Sequence, residues 1–313
     1  MEVVFSGLPM ISIIIPAYNE AGNIEPIANR VSKALDNSGP YEIIFIDDGS
    51  RDGTLGEIKK INATNENVKF ISFSRNFGHQ KALKAGLDHA QGDCVISMDA
   101  DLQHPPELLA KLIEEWRNGY DVVYTVRVDS VNTGFIKRVS SRLFYLIINL
   151  LSNVNIPLGA ADFRLLDRKV VDEVKKFKEN WLFIRGIVAW IGFSHTSVEY
   201  IVNSRFRGNT KYSLSRMLAL AINGITSFSI LPLRASILLG LTFSLGSFFY
   251  ALYAIYAKFF AKAAIRGWTS ILLSVLFLGG IQLISLGVIG EYLGKMFIET
   301  KNRPAYIIKE KIL

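Results

Sequence analysis

Along residues 1–204, short apolar runs alternate with segments in which apolar residues recur at helical spacing. The short runs indicate buried strands and the periodic segments indicate helices. We predict strands at 11–15, 42–46, 68–73, 93–98 and 122–124, and helices at 24–35, 54–62 and 80–90. Strands separated by helices imply right-handed crossovers and a mostly parallel sheet, so the expected fold class is α/β. Ligands bind such sheets at the carboxyl ends of the strands, where we look for the chemistry.

Two uncharged apolar runs, 235–257 and 267–290, lie in the last third of the chain. Each exceeds the roughly 20 residues that a helix needs to cross a bilayer core. Buried helices of a soluble core are the alternative, but core helices of that length usually show a charged or polar face. The first run starts too late for a signal peptide, and residues 1–10 lack a basic segment followed by a long apolar one. We therefore predict a two-span protein of the plasma membrane.

The formal net charge of +7 would suit either a nucleic-acid binder or a membrane protein. Residues 1–204 carry 22 Lys and Arg against 25 Asp and Glu, whereas residues 205–313 carry 13 against 3. The basic excess accompanies the apolar runs, so we expect anionic lipid and no nucleic acid as a partner. Three basic residues lie in the link 258–266, whereas six lie before the first run or after the second. Because basic residues favour the cytoplasmic side of a membrane, the counts place both the N-terminal and C-terminal parts of the chain in the cytoplasm. The six are Arg216, Arg234, Lys295, Lys301, Arg303 and Lys309.

Acidic residues follow three of the predicted strands. They include Glu20 after the first strand, Asp47 and Asp48 after the second, and Asp99 and Asp101 after the fourth. Two carboxylates at a strand end can reach one hard cation, and Mg²⁺ or Mn²⁺ is usually held by one or two carboxylates together with substrate phosphates. A lone Asp-x-Asp is weak evidence, but three acidic clusters at one sheet edge favour a metal–nucleotide site. The single cysteine, Cys94, excludes a disulfide scaffold and is expected to fill the core.

Four segments around these acids carry a resemblance. They read IIIPAYNE at 13–20, IDDGSRDG at 46–53, FSRNFG at 73–78 and MDADLQHPPE at 98–107. Together they resemble family 2 glycosyltransferases, which have the Rossmann-like GT-A fold. More narrowly, the chain is similar to polyprenyl-phosphate glycosyltransferases, such as bactoprenol glucosyltransferases, the aminoarabinose transferase and dolichol-phosphate mannose synthase. The similarity extends through AADFRL at 160–165, FIRGIVAWIG at 183–192 and RFRGNTKY at 205–212 to the two apolar runs.

The resemblance implies transfer of a sugar from a nucleotide sugar to a lipid phosphate at the cytoplasmic membrane face, with inversion in one displacement. The positions that it assigns to the nucleotide sugar are Pro16, Tyr18, Glu20, Asp47, Asp48, Asp99 and Lys211. It assigns Asp99 and Asp101 as ligands of the metal ion, with Gln103 as a further ligand. The metal ion and Arg205 are expected to stabilise the departing nucleoside diphosphate. Asp162 orients the sugar or acceptor, or acts as a base; both roles stay open. His104 is interpreted as a polar residue at the start of a helix rather than a ligand.

A polyprenyl phosphate acceptor needs cationic side chains close to the membrane. Segment 135–151 combines apolar residues at helical spacing with basic residues, which suits a helix in the interface plane or one packed on the sheet. We expect 205–234 to hold an acceptor loop and a juxtamembrane helix, and 291–313 to be a cytoplasmic tail with no role beyond its charge. The expected acceptor-phosphate residues are Arg127, Lys137, Arg138, Ser141 and Arg205.

The segment 185–192 looks closer to the bacterial branch that uses uridine nucleotides, so glucose from UDP-glucose is the expected donor sugar. Aminoarabinose from a UDP donor and mannose from GDP-mannose are alternatives within the class. A processive polysaccharide synthase is disfavoured by the absence of Gln-x-x-Arg-Trp and by only two spans. A non-catalytic membrane anchor would be expected to have lost Asp99 or Asp101. Glycines in both spans allow close helix packing, and the resemblance admits a monomer or a homo-oligomer such as a tetramer.

Overall fold

The computed structural model describes residues 8–36, 38–128, 160–180, 182–201, 229–260 and 267–313. The predicted interfacial helix at 135–151 and residues 205–228 of the predicted acceptor segment lie outside these ranges. The described chain falls into two units, residues 1–224 with 304–313, and residues 225–303.

The first unit is built on a sheet of eight described strands. They are β1 Ile11–Ala17, β2 Tyr41–Asp47, β3 Val68–Phe73, β4 Cys94–Ser97, β5 Val122–Val128, β6 Ala160–Asp167, β7 His195–Ile201 and β8 Ile308–Ile312. Their order across the sheet is β7-β5-β6-β4-β1-β2-β3-β8. The neighbours β4, β1, β2 and β3 are parallel to one another, as are β5 and β7, while β6 and β8 run antiparallel to their neighbours. The mostly parallel α/β sheet is therefore confirmed.

Helices connect the strands and cover the sheet. They are α1 Ile24–Leu35, α2 Thr54–Asn62, α3 His79–His89, α4 Leu109–Arg117, α5 Arg168–Lys176 and α6 Ile184–Ile191, with a short 3₁₀ turn at Pro106–Leu108. Ile11, Ile13 and Ile15 of β1 share the large apolar core with α1. Because side chains alternate along a strand, Ile14 points to the other face. There it meets α3 so closely that a Cβ on Gly86 would lie 2.9 Å from the Ile14 Cβ.

The end of the chain joins the sheet instead of forming a free tail. Strand β8 pairs antiparallel with β3, with Phe70 opposite Ile312 and Phe73 opposite Ile308. Lys59 and Glu310 add an ion pair at 2.7 Å between half-exposed side chains. The sequence predicts no role for this segment beyond its charge. In the fold it covers an edge of the sheet that would otherwise present unpaired backbone groups.

The second unit contains two long helices, α7 Leu231–Phe259 and α8 Trp268–Thr300. Apolar stretches of 20 and 24 residues, Leu231–Tyr250 and Phe277–Thr300, are long and apolar enough to cross a membrane, and none of their residues is buried. Within this unit, Phe243 and Phe277 make an edge contact at 5.1 Å. The helix α8 continues ten residues beyond the predicted end of the second span, through Glu291 and Glu299. A long exposed apolar surface of this kind is what a bilayer-facing helix requires.

Candidate active site

The carboxyl ends of β1, β2 and β4 meet at one edge of the sheet because these strands are parallel neighbours. Pro16 lies in β1 opposite Ile46, and Asp47 ends β2. The Asp47 carboxylate is buried and accepts hydrogen bonds from the Ser50 backbone N–H at 3.1 Å and the Ser72 hydroxyl at 2.8 Å. Asp47 therefore ties the end of β2 to the end of β3.

Asp48 holds the connection between β3 and α3, residues 74–78, which we name the Asp48 loop. Its carboxylate accepts the backbone N–H groups of Phe77 at 2.6 Å and Gly78 at 2.9 Å. Burial raises the pKa of Asp48, although these two N–H groups oppose the shift. Gly49 lies against the same loop at φ 67°, and a Cβ there would clash with the backbone of Arg75. The two loops are packed backbone to backbone, and this packing fixes Asp48.

The segment after β1 is bound to the start of α2. Asn19 adopts a left-handed conformation, φ 53°, and its side chain accepts the Arg51 backbone N–H at 2.9 Å. The Glu20 backbone N–H donates to the Thr54 hydroxyl at 2.9 Å, and the Glu20 carboxylate accepts the Asn23 amide at 2.7 Å. Tyr18 is half-buried in this segment. The Asp48 backbone N–H donates to the Ala17 carbonyl at 2.9 Å, so this segment starts directly beside Asp48, and its role in a nucleotide site stays a prediction.

Asp99 and Asp101 follow β4 in a turn whose backbone is unusual. Leu102 has φ 60°, in the left-handed region that few non-glycine residues adopt. Asp101 is buried and accepts the Gln103 backbone N–H at 3.1 Å, whereas the Asp99 side chain is 37% exposed. The turn therefore presents one accessible carboxylate and one that is fixed by the backbone.

His104 has a structural role in this turn that the sequence did not reveal. Its Nδ1 accepts the Asp99 backbone N–H at 3.0 Å, and its ring stacks on Phe163 with centroids 5.1 Å apart. The side chain is almost fully buried. These contacts fix the backbone of Asp99, and the interpretation of His104 as a helix-start residue rather than a metal ligand stays a prediction.

Asp162 reaches the same place from β6. Ser97 of β4 pairs with Arg164 in antiparallel register, so Asp162 lies alongside the residues that follow β4. Arg185 donates from Nε and Nη2 to the two oxygens of Asp162 at 2.8 and 2.9 Å, and buried Arg164 donates to Oδ1 at 2.5 Å. Desolvation alone would raise the pKa of Asp162, but the two guanidinium groups and His79 hold it well below its usual range. Asp162 is therefore ionised at neutral pH and is a weak base.

His79, the first residue of α3, links the two acidic groups. Its Nε2 lies 3.6 Å from Asp99 Oδ1 and 3.6 Å from Asp162 Oδ2, and the side chain is 41% exposed. Desolvation lowers the pKa of His79, but Asp162 and Asp99 outweigh it and raise the value overall. Gln80 next to it accepts the Ile184 backbone N–H at 3.1 Å, joining the start of α3 to the start of α6. His79, Arg164 and Arg185 are members of the site that the sequence pattern does not predict.

Some predicted residues lie outside the described chain. The backbone of Arg127 lies in β5, where it pairs with Tyr200, but its side chain is not among those that the structure describes. Those wholly outside are Lys137, Arg138, Ser141, Arg205 and Lys211.

Oxygen donors suitable for a hard cation are present at the turn after β4. Asp99 is accessible and Asp101 is two residues away, although among the described residues no group of three or more His, Cys, Asp or Glu is arranged to hold a metal ion. A divalent ion at this turn would therefore need oxygen atoms from a substrate, such as the phosphates of a nucleotide, to complete its ligands. Together with such substrate oxygens, the carboxylates of Asp99 and Asp101 fit Mg²⁺ or Mn²⁺.

A model of glycosyl transferase family 2 matches residues 12–175, which includes every acidic cluster of the site. The chain belongs to this family. It is 43% identical over 301 residues to the prophage bactoprenol glucosyl transferase homolog of Escherichia coli (strain K12), covering 96% of this chain and 98% of the relative. It is 42% identical over 303 residues to the bactoprenol glucosyl transferase of Shigella phage SfX, covering 96% and 99%.

Among solved structures, glucosyl-3-phosphoglycerate synthase from Mycobacterium tuberculosis, in complex with Mn²⁺, uridine diphosphate and phosphoglyceric acid, has a TM-score of 0.50 and 20% identity. The match covers 71% of this chain and 77% of that one, and it shows the shared GT-A fold. The protein is thus a glycosyltransferase with a GT-A catalytic unit and two helices of membrane-spanning length.

Proposed function

We propose that this glycosyltransferase moves glucose from UDP-glucose to undecaprenyl phosphate at the cytoplasmic face of the plasma membrane. The observation that carries the proposal is that bactoprenol glucosyl transferases match 96% of the chain, a share that includes both long apolar helices. Helices of membrane-spanning length would keep the catalytic unit at the surface where a lipid acceptor presents its phosphate. The acidic cluster at the carboxyl ends of β1, β2 and β4 provides the place for the donor.

In this proposal Asp99 and Asp101 hold Mg²⁺ or Mn²⁺, with Gln103 as a further ligand. Such an ion neutralises charge on the departing nucleoside diphosphate. Asp101 can serve as a metal ligand of fixed orientation because the Gln103 N–H holds its carboxylate. Asp99 can serve as the second ligand because its carboxylate is accessible. Tyr18, Glu20, Asp47 and Asp48 would surround the base and ribose, while Arg205 and Lys211 would meet the phosphates.

The acceptor needs no general base, because a lipid phosphate is already ionised at neutral pH. The described site agrees with this requirement, since two arginines hold Asp162 as a weak base. We assign Asp162 an orienting role: it fixes Arg185 and His79 around the place where donor and acceptor meet. Catalysis then comes from positioning two anionic reactants and from cationic stabilisation of the leaving group. A single displacement by the phosphate oxygen inverts the anomeric centre.

The acceptor phosphate is proposed to bind Arg127, Lys137, Arg138, Ser141 and Arg205, near the membrane surface. Aminoarabinose from a UDP donor, or mannose from GDP-mannose, is the second candidate for the transferred sugar, because the polyprenyl-phosphate glycosyltransferases that the chain resembles include enzymes for each of these sugars.

The decisive experiment incubates membranes containing the full chain with undecaprenyl phosphate and a panel of labelled donors: UDP-glucose, UDP-aminoarabinose and GDP-mannose. We expect label in the lipid extract from UDP-glucose, dependence on added Mg²⁺ or Mn²⁺, and a β-linked product. Label from another donor alone would replace the proposed sugar, and no lipid-extractable label from any donor would refute the lipid acceptor.

The Asp99→Asn and Asp101→Asn variants test the site. Each removes a charged ligand, and we expect at least about a hundredfold loss of transfer. Asp172→Asn, at an exposed carboxylate on α5, is the matched control and should transfer at the wild-type rate. Undiminished transfer by both site variants would contradict the proposed metal role.

A further inference from the structure

The last strand of the chain lies along the strand that leads to the Asp48 loop. Strand β8 pairs with β3 as far as Phe73 opposite Ile308. The Ile307 carbonyl then accepts the Ser74 backbone N–H at 3.0 Å, at the first residue of the Asp48 loop. The C-terminal segment therefore covers the edge of β3 up to the point where the loop begins.

Tyr306 joins the two elements that the Asp48 loop connects. Its ring stacks on Phe73, the last residue of β3, with centroids 5.1 Å apart and planes 16° apart. Its hydroxyl donates to Asp88 Oδ2 of α3 at 2.9 Å. Asp88 is also paired with Lys84, a buried lysine on the same helix. One side chain thus binds the strand before the loop and the helix after it.

The contacts continue from Phe73 into the site. Phe73 makes an edge contact with Phe77 at 5.7 Å, and the Phe77 N–H is one of the two that bind Asp48. The helix α3 starts directly after the loop with His79, which lies 3.6 Å from both Asp99 and Asp162. A shift of β3 relative to α3 would therefore displace the Asp48 loop, and with it the two N–H groups that bind Asp48 and the His79 side chain that follows them.

We infer that Tyr306 is a positioning residue for the donor side of the active site, acting through Phe73 and Asp88 on the Asp48 loop. The role of the loop in holding a nucleotide sugar rests on the proposed function, but the effect of Tyr306 on the loop itself does not. The alternative is that β8 only protects the edge of the sheet. In that case losing the Tyr306 side chain would loosen β3 and the loop alike.

The first test measures amide hydrogen exchange of the detergent-solubilised full chain, without substrate, by mass spectrometry. In Tyr306→Ala we expect the peptide covering 74–78 to exchange about tenfold faster, while the peptide covering 68–72 stays as in the wild type. Ile307→Ala, which removes an exposed neighbouring side chain and keeps the carbonyl bound to Ser74, is the control and should leave both peptides unchanged. Equal acceleration of the two peptides, or none in either, would overturn the inference.

The second test is steady-state transfer with the donor that the wild type uses. Tyr306→Ala should raise the KM for the nucleotide sugar about five- to tenfold, with kcat and the KM for the lipid phosphate within about twofold of wild type. Tyr306→Phe keeps the stacking on Phe73 and loses the hydrogen bond to Asp88, so its KM for the nucleotide sugar should lie between those of the wild type and Tyr306→Ala. Because the ring is retained, this variant should fold even if the alanine variant does not. Equal changes in both KM values, or a fall in kcat alone, would contradict a positioning role. Failure of the wild type to use UDP-glucose would refute the proposed sugar and leave the exchange result standing.

Discussion

The Arg185 guanidinium binds both carboxylate oxygens of Asp162, from Nε to Oδ1 at 2.8 Å and from Nη2 to Oδ2 at 2.9 Å. These residues come from α6 and β6 and are separated by 23 positions. Arg164, two residues along β6 from Asp162, donates to Oδ1 of the same carboxylate. The arrangement leaves Asp162 ionised and oriented, as the orienting role proposed for it requires.

Replacing Arg185 by lysine should therefore impair turnover although the charge is retained. An ammonium group cannot make the two parallel hydrogen bonds, so Asp162 loses its orientation. We expect kcat/KM to fall at least about tenfold in a transfer assay on purified protein. Arg30→Lys is the matched control: Arg30 makes the same two-oxygen contact with Glu107, but on the exposed surface. Wild-type turnover in Arg185→Lys would show that the paired geometry is not needed.

The contact between the loops around Gly49 and Arg75 leads to a second prediction. Gly49→Ala would place a Cβ against the Arg75 backbone and 2.7 Å from the Asn76 nitrogen, at a φ of 67°. We expect a loss of at least about 2 kcal/mol of stability and a raised donor KM, because relief of the clash moves the Asp48 loop. Gly56→Ala, in α2 with open space around it, should stabilise the fold slightly. Apparent melting temperatures in detergent check both variants, and equal values for the two would contradict the prediction.

The sequence predicted the central strands and helices closely for a physical reason. Runs such as Ile11–Ala17 and Val68–Phe73 are rich in β-branched and aromatic residues, are buried in the sheet, and are followed closely by polar turn residues. The acidic half of the site was found for the same reason, since parallel strands bring their carboxyl ends together. Asp47, Asp48, Asp99 and Asp101 could be placed at one edge without a structure.

The cationic half of the site could not be found this way. His79 and Arg185 are first-turn residues of helices, and only the packing of α3 and α6 against the sheet brings them to Asp162. A histidine and an arginine at helix starts carry no local signal of such contacts. Strand β8 was missed because its alternating isoleucine and charged residues form a short edge strand, which resembles a solvated tail until the partner edge of β3 is known.

Glu42 gives a prediction for the dependence of stability on pH. Its buried carboxylate accepts Lys69 and the Gln91 N–H, each at 2.8 Å, and the Ser12 hydroxyl at 2.5 Å. Burial raises the pKa of Glu42, but these hydrogen bonds together lower it below its ordinary value of 4.5. A lowered folded-state pKa means that the ionised group stabilises the fold above pH 4.5, and that this contribution is lost as the pH falls through the lower folded value.

Glu42→Gln should therefore be less stable than wild type at neutral pH, by about 1–3 kcal/mol, and the difference should narrow as the pH falls below 4.5. Apparent melting temperatures across a pH series measure this difference. Glu114→Gln, at an exposed position on α4, should follow the wild type at every pH. A difference between Glu42→Gln and wild type that stays constant with pH would refute the assignment.

His79 gives a prediction that separates its role from that of the helix that carries it. The imidazole Nε2 lies 3.6 Å from one oxygen each of Asp99 and Asp162, so its loss leaves two carboxylates facing each other without the group that bridges them. We expect His79→Ala to lower kcat at least about tenfold, and His79→Gln, whose amide reaches the position of Nε2, to recover part of that loss. His89→Ala, at the last residue of the same helix, should keep the wild-type kcat. A wild-type kcat in His79→Ala would show that the bridge between the two carboxylates does not matter, and equal losses in His79→Ala and His89→Ala would trace the effect to the stability of α3.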